Sequence, residues 1–204
     1  MITGLKDLDN ILQGNNIATI YGEAGTGKTT LCLLASIEQA LNNKKVLFLD
    51  AEKNFSTDRF EQLLNGRNKE CIKNILILNI KNFNLQHTQI KNLESVKNIS
   101  LIIVDSITHF YRRLYRREPE IAKAMLGKQL SILNKISKNN IPIIVTSQVY
   151  SNMKDDVLPL AKEILTKFSK TIIKLEKTPR KLILEKPDKK QIKFEIINEG
   201  IKIV

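Results

Sequence analysis

There is no tryptophan in these 204 residues, and only two cysteines and two histidines. Cys32 and Cys71 lie far apart and neither belongs to a C-x-x-C pair, so neither a disulfide framework nor a zinc site is expected. They read as small buried hydrophobes in a reducing compartment. His87 and His109 are isolated as well, which argues against a histidine-based metal centre. Apolar stretches are short: Ile99–Val104 and Ile141–Val145 fall far below the ~20 residues of a membrane-spanning helix. The opening MITGLKDLDN has no basic segment leading into an apolar one, so no secretory signal is read. A cytoplasmic protein with no membrane partner is expected. Eight glycines and five prolines are too few for a collagen or a low-complexity chain.

Acidic residues are also in deficit. Asp and Glu number 21 against 33 Lys and Arg, for a formal charge of +12. That balance suits a polyanion such as nucleic acid, whose phosphates it would neutralise. A solvated lysine surface is the alternative from charge alone.

Short β-branched runs alternate with stretches of helical period. Strands are expected at Ile17–Tyr21, Val46–Asp50, Ile75–Asn79, Leu101–Asp105 and Ile141–Ser147, with helices at Lys28–Leu41, Thr57–Leu64, Gln86–Lys97 and within Pro119–Lys138. This alternation predicts an α/β fold with a mostly parallel central sheet and helices on both faces. The strands are nearly all apolar, as burial on both faces requires. After about residue 166 the pattern changes. Lys170–Glu176, Lys181–Glu185 and Ile192–Ile197 are separated by gaps too short for crossover helices, so antiparallel pairing is expected. The whole chain, 1–204, reads as one domain, with an α/β core over 1–166 and an antiparallel extension over 167–204.

The strongest local signal is Gly22-Glu23-Ala24-Gly25-Thr26-Gly27-Lys28-Thr29, a complete G-x-x-x-x-G-K-T followed by Thr30. It follows a predicted strand and opens a predicted helix, the context in which backbone N–H groups and a helix N-terminus cradle phosphates. Lys28 would reach the β- and γ-phosphates of ATP, and Thr29 would hold Mg²⁺. Asp105 ends the apolar strand Leu101–Asp105 and would meet the same metal at the sheet edge. Glu52, just past another strand, could orient and deprotonate water. Gln148, past a third, can donate to a γ-phosphate.

These four elements, in this order, resemble the core of the RecA-type recombinases, a P-loop NTPase fold. The likeness runs from Thr3-Gly4-Leu5-Lys6-Asp7-Leu8-Asp9, similar to the T-G-x-x-x-L-D that precedes the family's first strand, to the C-terminus. It implies that Glu52 is the catalytic glutamate, that Asp105 binds magnesium, that Gln148 senses the γ-phosphate and that Arg59 packs on the adenine. Within the family the chain is most similar to the short archaeal paralogues known as RadB. It starts at the core, without the upstream polymerisation linker, so no long filaments of the protein alone are expected. Val149–Asp156 is shorter and more polar than the corresponding DNA loop of strand-exchange enzymes. Ser56, Ser147 and Glu185-Lys186-Pro187 stand where full recombinases usually have Arg, Asn and Asp-Ser-Pro. The resemblance implies an ATP-binding, DNA-binding accessory of homologous recombination and repair, with weak ATP hydrolysis and no strand exchange. Its implied partners are single-stranded or branched DNA, a full-length recombinase, a Holliday-junction resolvase and a replicative DNA polymerase.

Four of the chain's seven arginines are Arg112, Arg113, Arg116 and Arg117, interleaved with Tyr111 and Tyr115. Arg forks suit phosphates and Tyr offers a face to a base, so this segment is the expected nucleic-acid contact. An acidic protein partner is the alternative reading of the same cluster. Two other functions stay open at this point: a DNA-stimulated motor or KaiC-like ring ATPase, and a nucleotide-gated protein adaptor that needs no DNA.

Overall fold

The computed structural model of the protein describes residues 9, 12, 16–151 and 157–204. Residues 3–8 of the opening segment and 152–156 of the polar stretch lie outside the described residues.

A nine-stranded sheet organises the chain. Its parallel part is built from β1 (Ile17–Gly22), β2 (Val46–Asp50), β3 (Ile75–Asn79), β4 (Leu101–Asp105), β5 (Ile143–Ser147) and β8 (Ser169–Lys177). Antiparallel β9 (Arg180–Lys186), β10 (Lys190–Ile197) and β11 (Gly200–Ile203) continue it beyond β8. The order is β11-β10-β9-β8-β1-β5-β4-β2-β3, so β3 and β11 are the edges. A separate hairpin pairs β6 (Val149–Ser151) with β7 (Val157–Pro159).

Among the described residues the α-helices include α1 (Lys28–Leu41), α2 (Thr57–Leu64), α3 (Phe83–Asn92), α4 (His109–Tyr115), α5 (Pro119–Ser137) and α6 (Lys162–Phe168). The period-2 rule sorts the strand side chains between two cores. Val46 and Phe48 join Leu31, Leu33 and Ile37 of α1 and Phe60 of α2 on one face. Leu47 and Leu49 join Ile90 of α3, Tyr111 of α4 and Leu126, Leu130 and Leu133 of α5 on the other. The C-terminal strands bury only one side: Leu182, Leu184, Ile192 and Phe194 pack on the α1 core, while Lys193 and Glu195 face solvent.

Local chemistry sets the element ends. Asn82 accepts from the Leu85 N–H at 2.8 Å and starts α3 three residues before the expected position, and the helix ends at Asn92 rather than Lys97. Ser56 accepts from the Arg59 N–H at 3.2 Å and caps α2. Helix α6, the β6–β7 hairpin and β11 go beyond the elements expected from the sequence. Helix α6 lies in the connection that returns the chain to the sheet, so that β8 pairs parallel with β1, a pairing that a tight turn cannot make.

Leu133 is fully buried where α5 crosses the sheet. Leu133→Ala should lower unfolding free energy by ~3 kcal/mol, read as a reduced urea midpoint with an unchanged slope.

Candidate functional site

The parallel topology carries the C-terminal ends of β1, β2, β4 and β5 to one edge of the sheet, and the chemistry-bearing residues follow directly after them. Between β1 and α1 runs the glycine-rich loop. Gly22 has to lack a side chain, because a Cβ there would stand 2.4 Å from the Leu175 carbonyl oxygen of β8. Gly27, at φ 105°, holds the left-handed turn into α1, and a Cβ there would meet Ile196 Cδ1 at 2.9 Å. The loop is thus pressed between its own helix and the C-terminal strands. Arg180, the first residue of β9, donates to the Gly25 carbonyl at 3.0 Å and ties the loop from outside.

The cleft beside the loop has a volume of about 240 Å³ and is walled by Lys28, Thr29, Thr30, Glu52, Asn54, Asp105 and Ile196 among others. Thr29 Oγ1 donates to Asp105 Oδ2 at 2.7 Å, and Thr146 Oγ1 donates to Asp105 Oδ1. Burial raises the Asp105 pKa, against the opposing pull of these two hydroxyls. Burial likewise lowers that of Lys28, although Asp105 and Glu52 favour its charge. Lys28 Nζ folds back onto the Gly22 and Glu23 carbonyls, 2.8 Å from each. A buried carboxylate next to a threonine hydroxyl is a hard-oxygen donor pair that fits Mg²⁺, and a half-buried ammonium beside the glycine-rich loop at a helix N-terminus fits phosphate. Each would relieve the desolvation of the protein group it meets.

Glu52 and Gln148 come together as well. Glu52 Oε1 accepts from Ser106 Oγ at 2.6 Å and from Gln148 Nε2 at 2.9 Å, and Oε2 accepts from Asn54 Nδ2 at 3.1 Å. Thr108 Oγ1 accepts from the Gln148 N–H at 2.9 Å, anchoring the end of β5. Asp50 stays out of the cleft: its carboxylate accepts from the Asn54 and Phe55 N–H groups and shapes the loop that presents Glu52. Ser106, Asn54 and Ile196 were missed in the sequence. Ser106 and Asn54 flank recognised residues, whereas Ile196 comes from the opposite end of the chain and leaves no local trace.

Two of the expected site residues are engaged elsewhere in the structure. Arg59 does not line this cleft. Its guanidinium donates to the Ile197 and Asn198 carbonyls, each at 3.0 Å, and clamps the β10–β11 turn. Tyr111 is not a free face for a base: it is buried at 3 % exposure, packed edge-on to Phe83 and stacked on Tyr115, with burial pushing its hydroxyl pKa up to about 12. The helical period turns position 111 to the core and leaves Arg112, Arg113, Arg116 and Arg117 exposed. Tyr115 is 41 % exposed. A second exposed tyrosine, Tyr150 of β6, lines the same cleft of about 480 Å³ as Tyr115, with Lys123 and Lys162 at its border.

The family model Rad51 matches residues 1–202. The chain belongs to the Rad51 family. "DNA repair and recombination protein RadB" of Methanococcus maripaludis is 36% identical over 97% of this chain and 98% of its own length. The protein of the same name from Methanocaldococcus jannaschii is 36% identical over 97% and 99%, and that from Thermococcus sibiricus 35% over 99% and 94%. A solved structure described as "Crystal structure of the RadB recombinase" superposes with a TM-score of 0.83 at 32% identity, covering all of both chains. The Rad51-family chain thus has the RecA-like α/β sheet expected from its motifs. No helix among the described residues is long and apolar enough to cross a membrane.

Lys28→Ala should weaken ATP binding at least tenfold by calorimetry, the weight of one charged hydrogen bond or more. Because burial already disfavours the Lys28 charge, the melting temperature without nucleotide should not fall.

Proposed function

We propose that this protein is an ATP- and DNA-binding accessory of homologous recombination and DNA repair that hydrolyses ATP slowly and performs no strand exchange of its own. One observation carries the reading: the Glu52 carboxylate, which lines the cleft together with Lys28, Thr29 and Asp105, accepts from the Gln148 amide. Membership of the Rad51 family and relatives named for DNA repair and recombination support the cellular role.

In the proposed reaction the loop N–H groups hold the phosphates and Lys28 leaves its backbone carbonyls for the β/γ-phosphates. Thr29 and Asp105 would hold Mg²⁺, which would neutralise phosphate charge when bound. Gln148 exchanges Glu52 for a γ-phosphate oxygen. That exchange frees Glu52 Oε1 to take the proton of the attacking water. Asn54 and Ser106 keep the carboxylate aimed. Slow turnover is consistent with the place of Lys186, whose ammonium donates to the Thr166 and Ser169 carbonyls of its own chain at 3.2 and 2.7 Å. It is thereby engaged at home rather than offered to a neighbour's nucleotide.

DNA would lie along the exposed arginines of the α4 region, with Tyr115 and Tyr150 as stacking faces. A full-length recombinase would dock at β3, an edge strand with Leu76 55 % exposed, by adding a strand there.

Single-turnover hydrolysis tests the catalytic half: Glu52→Gln should lower the rate ~10²-fold or more while ATP binding persists. A rate equal to the wild type would remove Glu52 from catalysis. For DNA, replacing Arg112, Arg113, Arg116 and Arg117 with Ala should weaken binding to single strands. The log–log salt slope should flatten by about two to three units, at roughly 0.7 per phosphate contact. An unchanged slope would assign the arginines to an acidic protein partner and favour the adaptor. A stable hexamer with strong DNA-stimulated turnover would favour the ring motor.

A further inference from the structure

His109 reads in the sequence as an isolated histidine, yet the fold carries it to the Glu52–Gln148 pair. It is the first residue of α4, and its Nδ1 lies 3.4 Å from Gln148 Nε2 and 3.8 Å from Glu52 Oε1. The ring is half-buried and sits edge-on to Phe110, with centroids 4.7 Å apart.

The hydrogen-bond inventory leaves one consistent arrangement. An ionised Glu52 only accepts, so the Gln148 amide must turn its nitrogen, not its oxygen, toward the carboxylate. That nitrogen carries two hydrogens. One is taken by Glu52 Oε1 at 2.9 Å, and His109 Nδ1, 3.4 Å from the nitrogen, is placed to accept the other. Nδ1 therefore accepts, and the ring's proton belongs on Nε2.

We infer that His109 is a positioning residue that fixes the orientation of the Gln148 side-chain amide by accepting its second hydrogen at Nδ1. The inference rests on the catalytic reading of Glu52 and Gln148 proposed above. When Gln148 leaves Glu52 for a γ-phosphate, the bond to Glu52 no longer sets which end of the amide faces the cleft. The bond to His109 still does. With it the amide arrives nitrogen first and donates to the phosphate. Without it the amide rotates freely, and its oxygen is presented to an anion that repels it. No other side chain is placed within hydrogen-bonding distance of the Gln148 nitrogen among the described residues.

Two measurements decide the matter. Two-bond ¹H–¹⁵N correlation spectra of the wild-type protein without nucleotide should show His109 protonated at Nε2 and bare at Nδ1. A proton on Nδ1 overturns the inference whatever the enzyme's activity. In single-turnover hydrolysis, His109→Ala should lower the rate of the chemical step about fivefold, the weight of one neutral hydrogen bond, with ATP affinity unchanged. His109→Asn, whose Oδ1 can stand in for Nδ1, should recover most of that loss. Equal rates in the Ala and Asn variants would reduce His109 to packing against Phe110, and a wild-type rate in His109→Ala would deny it any role. Glu52→Gln run alongside separates the two claims. A defect there with none in His109→Ala rejects the positioning residue alone, whereas no defect in Glu52→Gln rejects the catalytic reading itself.

Discussion

Asp105 accepts from two threonine hydroxyls, and the arrangement of the site depends on that junction. Thr29 comes from the first turn of α1 and Thr146 from the neighbouring strand β5. A carboxylate only 2 % exposed needs such partners, since an unpaired buried charge is costly. Satisfying it fixes the height of α1 relative to β4 and β5. With those three elements in register, the glycine loop, Ser106 and Gln148 have little freedom left. The same burial that makes the junction necessary pushes the carboxyl toward its neutral form, a tension that a cation at the site would resolve.

The parts of this arrangement that were legible in the sequence are those written over a few adjacent residues. The phosphate loop, the carboxylate-ended strands and their alternation with helices all depend on local period and spacing, and the nine-stranded sheet contains them where expected. Helix α4 was legible only in part. The arginine cluster that begins in it stood out, but which tyrosine faces inward depends on Phe83, a residue of another helix. His109 is the sharper case. No neighbour in the sequence makes a lone histidine chemical, and its contacts are with residues brought from β2 and β5 by the parallel topology. Arg59 shows the reverse: a residue noticed in the sequence whose contact is with a C-terminal turn that pattern reading had no means to place beside it.

Cationic side chains divide into committed and free. Lys186 and Arg180 are held by backbone carbonyls, and Lys135 pairs with Glu94. The arginines from 112 to 117 are exposed together on one short helix and the turn after it. Like charges at that spacing repel one another, which costs the helix stability and leaves it predisposed to an anion. The net charge of the chain is therefore less informative than where its uncommitted part has been gathered.

Ile196 walls the cleft against Gly27, and Phe194 lies just behind it. The glycine-rich loop is spelled far upstream in the chain from Ile196, which backs it. During synthesis, a nascent chain that already displays the complete glycine-rich loop still lacks one side of the groove. That side is supplied when β10 pairs with β9 in the sheet. A chain that stops short of β10 presents the glycine-rich loop without the wall that Ile196 gives it.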